Sequence, residues 1–331
     1  MELDLPAGYT SRPFRGPDDF VPMTRALAAV RRHAGDNELP TPEIIAVTYA
    51  SFSPADCVPT RDVALMLDPD GEVVGYARAA REAYENGDVT WLCFPVVHPD
   101  HLDDALFAAT VRSLERHLGE VALEGDRPQW YASVAPHPGP DLPATGRAAW
   151  LESMGYTAVQ YGAALVRPHL DDIPDLALPD GLELRPVRPE HLREIWEVHQ
   201  EAFRGQWDFR EPTEEDYRRF LDDPLNDTTL WKIAWDERGV VGQVKSFINA
   251  DENDSEGRRR GYTEFISTRA DRRNRGIAAA LLCASLRELR DRGMTEAALG
   301  ADVNNPSAFL LYQRLGFEVR LIEAFYRRPI D

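Results

Sequence analysis

The sequence predicts a mixed α/β fold built twice in tandem, on three observations. Along the chain the apolar residues change repeatedly between a period of two and a period near 3.6, the signatures of strand and helix. Short matches recur between the halves: Arg12-Pro13-Phe14 with Arg185-Pro186-Val187, Asp70-Gly71-Glu72-Val73-Val74-Gly75 with Glu237-Arg238-Gly239-Val240-Val241-Gly242, and Leu151-Glu152-Ser153-Met154-Gly155-Tyr156 with Tyr312-Gln313-Arg314-Leu315-Gly316-Phe317. Their offsets drift only from 173 to 167 to 161 residues, the trace that duplication with later loop insertions leaves. Between the halves, residues 168–181 carry three prolines and four aspartates, the composition of a linker. The boundaries so read are 1–167, 168–181 and 182–331.

In the first half, strands are expected over Val63–Leu67, Val73–Ala79, Thr90–Val97 and Trp130–Val134, with a helix over Asp103–His117. The second half reads more fully. Leu182 to Val187 alternates as a strand, and Arg193–Phe203 and Glu214–Leu221 are helices around a loop holding Trp207 and Phe209. Leu230–Trp235 and Val240–Ile248 make a hairpin, and Tyr262–Thr268 a further strand. Ile277–Arg292 is a long helix with Leu281, Leu282, Leu286 and Leu289 on one side, stopped at Gly293. A strand over Ala297–Gly300, a helix over Pro306–Leu315 and a last strand over Val319–Tyr326 complete it.

With 331 residues, 43% apolar and 28% charged, the chain has room for two folded domains. No run approaches the roughly 18 apolar residues of a membrane span. Met1-Glu2-Leu3-Asp4 has neither the basic nor the apolar stretch of a signal peptide, so a cytoplasmic protein is expected, with no membrane partner. Cys57, Cys93 and Cys283 are far apart and in no CxxC pair, which supports neither a disulfide framework nor zinc. His98-Pro99-Asp100-His101 reads as a surface turn, so no metal is expected. A net charge of −19 argues against a general nucleic-acid binder and suits a cationic substrate.

Against that acidity, Arg258 to Arg275 holds seven arginines and only two acids, Glu264 and Asp271. The stretch Arg272-Arg273-Asn274-Arg275-Gly276-Ile277-Ala278 turns directly into an alanine/leucine helix. Successive N–H groups at such a turn, with the positive end of the helix, make a phosphate cradle. Gly276 lets the backbone approach a ligand, and Ala278 keeps the first helical turn slim.

Arg273-x-x-Gly276-x-Ala278, followed by Asn305-x-x-Ala308-x-x-Leu311-Tyr312-x-x-x-Gly316-Phe317, resembles the GCN5-related N-acetyltransferase (GNAT) family. Two such units in tandem resemble the layout of mycothiol synthase and related double acetyltransferases, an analogy of architecture that leaves the substrate open. The resemblance implies two tandem GNAT-like domains, each a central mixed sheet flanked by helices. It implies acetyl-CoA as cosubstrate, its pyrophosphate on the backbone of Arg273, Asn274, Arg275, Gly276, Ile277 and Ala278. Pantetheine would run beside the strand ending at Ser267, Thr268 and Arg269, with Asn305 helping to hold its amide-rich arm. Thr268 stands where the family usually has valine, a change the backbone contact tolerates.

Acetyl transfer must remove a proton from an ammonium of pKa ~10 and deliver one to a thiolate whose thiol has a pKa of ~8.5. A base and an acid must therefore flank the thioester. Glu264, four residues before Thr268 and so on the same strand face, is the base candidate; the competing reading pairs it with an arginine such as Arg259. As a base it needs partial burial to raise its pKa, or a water relay. Tyr312, at the family's tyrosine position, is the acid candidate, or else packs under Phe317. The family picture adds N–H groups near Ser267 and Thr268 that polarise the thioester carbonyl. Phe203, Trp207 and Phe209 would wall the pocket of an aliphatic or cationic amine, or serve packing. No Gly-x-Ser-x-Gly elbow is present, and Cys283 reads as a buried inert thiol; direct transfer in a ternary complex, which needs no protein nucleophile, is expected.

The first half has two aspartates, Asp103 and Asp104, where phosphates would approach, and Leu151 in place of the tyrosine. It is expected not to bind CoA. The function so read is N-acetylation of a primary amine on a small molecule by a monomer or homodimer. A CoA-binding sensor or scaffold without turnover, a longer acyl donor and a protein lysine acceptor are the alternatives.

Overall fold

The computed structural model describes residues 1–330 except 36–39, 51, 84–87, 205–208 and 210. By chain contacts it divides into two units, Met1–Ala163 with Arg320–Asp331, and Ala164–Val319. The strands in chain order are β1 (Thr10–Pro13), β2 (Val63–Leu67), β3 (Val73–Ala83), β4 (Asp88–Val97), β5 (Arg127–Pro136), β6 (Thr157–Arg167), β7 (Glu183–Leu184), β8 (Lys232–Asp236), β9 (Gly239–Phe247), β10 (Arg260–Thr268), β11 (Glu296–Asp302) and β12 (Glu318–Pro329). The helices are α1 (Phe20–His33), α2 (Pro42–Ala50), α3 (Pro59–Asp62), α4 (Asp104–Glu120), α5 (Arg147–Ser153), α6 (Leu192–Phe203), α7 (Glu214–Asp222), α8 (Ala250–Glu256), α9 (Ile277–Asp291) and α10 (Pro306–Arg314). The strands and helices expected in the second half are present, except that the first strand shrinks to β7. Helices α1, α2 and α8 go beyond the elements read from the sequence, although α1 carries the helical period in Phe20, Met23, Leu27 and Val30. In α1 the buried residues are Met23, Ala26, Ala28 and Val30, and α8 is rich in acids, with Asp251, Glu252, Asp254 and Glu256.

In the first unit the strands run in the order β1-β2-β3-β4-β5-β12. Neighbours are antiparallel apart from β4 and β5, which α4 connects as a parallel pair. The last strand thus leaves the half that precedes it in sequence. β12 pairs with β5 from Glu323↔Pro136 to Pro329↔Trp130, and Ala324 and Tyr326 are buried with Phe107, Val111 and Leu151. By contacts Arg320–Asp331 therefore group with the first unit, although in sequence they close the second half. A strand's alternation says which residues are buried, and says nothing about which strand it will pair with.

The second unit repeats the plan as β11-β10-β9-β8-β7, with β10 and β11 parallel and α9 between them. Leu281, Leu282, Leu286 and Leu289 of α9 are buried against the sheet. The helix lies so close that a Cβ on Gly261 would stand 2.5 Å from Leu289 Cδ2. On the other face Ile195 of α6 packs with Ile233, Trp235 and Val240. Residues 168–181 have no helix or strand, yet Leu170 is buried and Arg287 of α9 donates to the Pro174 carbonyl.

Candidate active site

Two breaks in the regular ladder open the second unit where β10 passes between β9 and β11. Parallel pairing of β10 with β11 is confined to Arg260–Tyr262 with Glu296–Ala298, after which the strands separate. On its other side β10 carries one extra residue between Glu264↔Lys245 and Ser267↔Gln243, a bulge. Phe265 within it has φ 51°, rare for a bulky residue and costing about 1–3 kcal/mol. The strand is thus bent away from β11 at the candidate base.

A cavity of about 530 Å³ fills the opening. Glu264 and Tyr312 both line it, with Asn305, Phe203 and Phe209. Glu264 accepts a hydrogen bond from Gly300 N at 3.1 Å, capturing an N–H that the separated strand leaves without a ladder partner. Tyr312 is buried on α10, edge-on to Phe317, and burial first, then the charge of Glu264, pushes its phenol up to about 12. The phenol therefore keeps its proton at neutral pH. Asn305 caps α10, its Oδ1 accepting from Ala308 N at 3.3 Å and Ser307 Oγ at 2.9 Å. Trp207 lies outside the described residues.

The cradle residues lie on the far side of Thr268. Asn274 and Gly276 both have positive φ, 61° and 79°, the kind of turn in which successive backbone N–H groups form an anion-binding concavity. α9 starts at Gly276 with no side-chain cap. A Cβ at Gly276 would meet nothing within 4 Å, so the space above the turn is open. Uncapped N–H groups, a helix dipole and open space fit a pyrophosphate.

The arginine island is less free than its sequence suggests. Arg258 pairs with Glu252, Arg260 with Glu296 at 2.7 Å, and Arg269 and Arg272 both with buried Asp236, at 2.7 and 2.8 Å. The Arg269 guanidinium, with burial opposing, holds the Asp236 carboxyl down to about 2. Arg269 therefore meets carboxylates, Asp236 and Asp271, and ties the β8–β9 turn to the cradle. Arg273 is turned to backbone, donating to the Thr268 and Ala202 carbonyls at 3.2 Å each. What remains for an anion is mainly the turn itself.

Sequence reading missed several cavity residues, among them His199 and Gln200 on α6, Phe265 in the bulge, and Asp302 at the end of β11. His199 had a faint signal as the one imidazole on the apolar face with Ile195 and Trp196. The bulge had none. Cys57, Cys93 and Cys283 are buried free thiols, and burial raises the pKa of each. Among the described residues no His/Cys/Asp/Glu group suits a metal ion, and no helix is long and apolar enough to cross a membrane.

Residues 192–317 match the family model described as Acetyltransferase (GNAT) family. A mycothiol acetyltransferase of Catenulispora acidiphila is 27% identical over 93% of this chain and 95% of its own. Among solved structures, a GCN5-related N-acetyltransferase from Sphaerobacter thermophilus covers 98% of this chain and 96% of its own at TM-score 0.75 and 21% identity. A tandem GNAT protein from the clavulanic acid biosynthesis pathway covers 97% and 98% at TM-score 0.67 and 17% identity. The two structural likenesses are likenesses of fold.

Proposed function

From the premise that residues 192–317 form an acetyltransferase domain of the GNAT family, we propose that this enzyme transfers acetyl from acetyl-CoA to a primary amine of a small molecule, directly and without a metal. One observation carries the reading: the candidate base and candidate acid line a single cavity, and the strand that supplies the base leads on to an uncapped helix start. In this reading Ser267, Thr268, the turn from Arg273 to Ala278 and Asn305 hold the cosubstrate. Phe203 and Phe209 face the acceptor. The acceptor nitrogen attacks the thioester carbonyl as Glu264 takes its proton, directly or through one water. The carbon–sulfur bond then breaks and Tyr312 supplies the proton, or the hydrogen bond, that the departing thiolate needs.

The two roles are coupled electrostatically. The Glu264 charge is one of the two causes that raise the Tyr312 pKa. When Glu264 takes up the acceptor's proton, that charge disappears and Tyr312 becomes a stronger acid at the moment the thiolate leaves. The relatives' name makes a mycothiol-related amine the first acceptor to assay. We further read the first unit as unable to bind CoA, and the protein as cytoplasmic and monomeric or homodimeric.

Calorimetric titration of acetyl-CoA into wild type and Gly276→Trp tests the cofactor half of the proposal. One site per chain, lost in the variant, is expected. Two sites would overturn the reading of the first unit, and no heat at all would overturn the acetyltransferase itself. Thiol release across a panel of amines then tests the acceptor half.

A further inference from the structure

The α6 wall of the cavity holds a group that the reaction above does not use. His199 is 7% exposed, its ring lines the cavity, and Nδ1 is sealed with no hydrogen-bond partner among the described residues. Two aromatic contacts fix the ring: Phe203 with centroids 4.3 Å apart, and Phe265 edge-on at 5.1 Å. An orphaned buried nitrogen in an immobilised ring is a cost to folding.

The first unit shows that the fold does not need it. At the offset of 173 that relates Arg12-Pro13 to Arg185-Pro186, the residue matching His199 is Ala26, also buried. The neighbouring cation, by contrast, recurs. Lys245 Nζ lies 4.2–5.4 Å from the rings of Phe265, Phe220 and Trp231, and the Arg78 guanidinium lies 4.2–5.7 Å from Phe94, Phe52 and Tyr49. Each cation stands three residues after the matched glycine, Gly242 or Gly75. The caged cation belongs to the architecture of both halves, and the imidazole only to the half with the candidate base.

We propose that His199 is an acceptor-binding residue, its uncharged ring hydrogen-bonding a hydroxyl carried beside the amine that Glu264 deprotonates. Burial first, then the Lys245 charge, pushes the imidazole down to about 3, so it is neutral at working pH. With Nδ1 sealed, Nε2 is the ring atom left to meet a ligand, and a hydroxyl, which both donates and accepts, pairs with it in either tautomer. The inference rests on the cavity being the acceptor site.

The test compares trans-2-aminocyclohexanol with cyclohexylamine, a pair differing by one hydroxyl, in thiol-release assays of wild type, His199→Phe and His199→Asn. Wild type should favour the amino alcohol about 10-fold in kcat/KM. His199→Phe should abolish that preference through the KM of the amino alcohol alone, His199→Asn should keep part of it, and acetyl-CoA affinity should hold in both. Equal loss for the two amines, or no loss, in whichever variant folds would overturn the proposal and leave the acetyltransferase reading standing. Turnover of neither amine by a wild type that binds acetyl-CoA would overturn the acceptor site and this inference together.

Discussion

Two helix starts in this chain follow the same strand turn and have opposite chemistry. α4 begins at Asp103, whose carboxylate accepts from Leu106 N at 2.8 Å, so the helix supplies its own anion. α9 begins at Gly276, in a left-handed conformation, without a side-chain cap and with open space above it. The difference extends inward. Where α10 presents Tyr312 to a cavity, α5 presents Leu151, fully buried among Phe107, Val111 and Tyr326. One duplicate has its helix start capped and an apolar residue packed at the tyrosine's position, and its own cavity of about 490 Å³ is lined instead by residues of α4 and α5 with Arg328; the other leaves its helix start uncapped and its tyrosine facing a cavity. A binding site in this fold is thus made by withholding stabilising groups as much as by adding reactive ones.

Removing chemistry from the open half should have the largest effect. Glu264→Gln is expected to lower kcat by about 10²–10³ with acetyl-CoA affinity unchanged, measured by thiol release and calorimetry. An unchanged kcat would assign the base elsewhere. Converting one helix start into the other comes next: Gly276→Asp places at the start of α9 the carboxylate that α4 already has. Like charge against the pyrophosphate and strain at φ 79° should weaken acetyl-CoA binding at least about 10-fold. Retention of full affinity would show that the turn is not the cradle.

Lys245 gives a smaller effect, visible in pH. Burial holds its amine down to about 7 in the folded protein, with Asp223 opposing and His199 alongside. Between pH 7 and about 10 the unfolded chain binds one more proton at this lysine than the folded one, so stability should rise with pH across that window. Lys245→Met should flatten the rise, by up to about 1.4 kcal/mol per pH unit, in denaturant melts taken from pH 7 to 10. A slope unchanged by the substitution would mean that the caged amine stays protonated. The smallest effect is expected in the closed half. Asp103→Ala should cost about 1 kcal/mol of stability in the same melts, for the lost cap, and add no acetyl-CoA site by calorimetry.

Local chemistry was legible in the sequence. The glycine before an alanine/leucine run specified an uncapped helix start. The period of the leucines in α9 marked the face that packs on the sheet. These follow from two or three covalent neighbours and from side-chain periods of two and 3.6, which the chain cannot avoid. The common face expected for Glu264 and Thr268 is corrected by the structure: the extra residue between them pairs Glu264 with Lys245 and Thr268 with Gly242, which reverses the alternation. Partnership was not legible. Seven arginines read as free charge because Glu252, Asp236 and Glu296, which take up four of them, come from other elements. The strand character of Val319–Tyr326 was plain, and its pairing with β5 was not. The bulge at Phe265 left no trace in composition, yet it turns β10 at the candidate base. Sequence settles what each segment can be, because backbone sterics and side-chain period act locally. Which charges cancel, which strands pair and where the sheet opens are decided only when distant segments compete for the same hydrogen bonds and the same buried space.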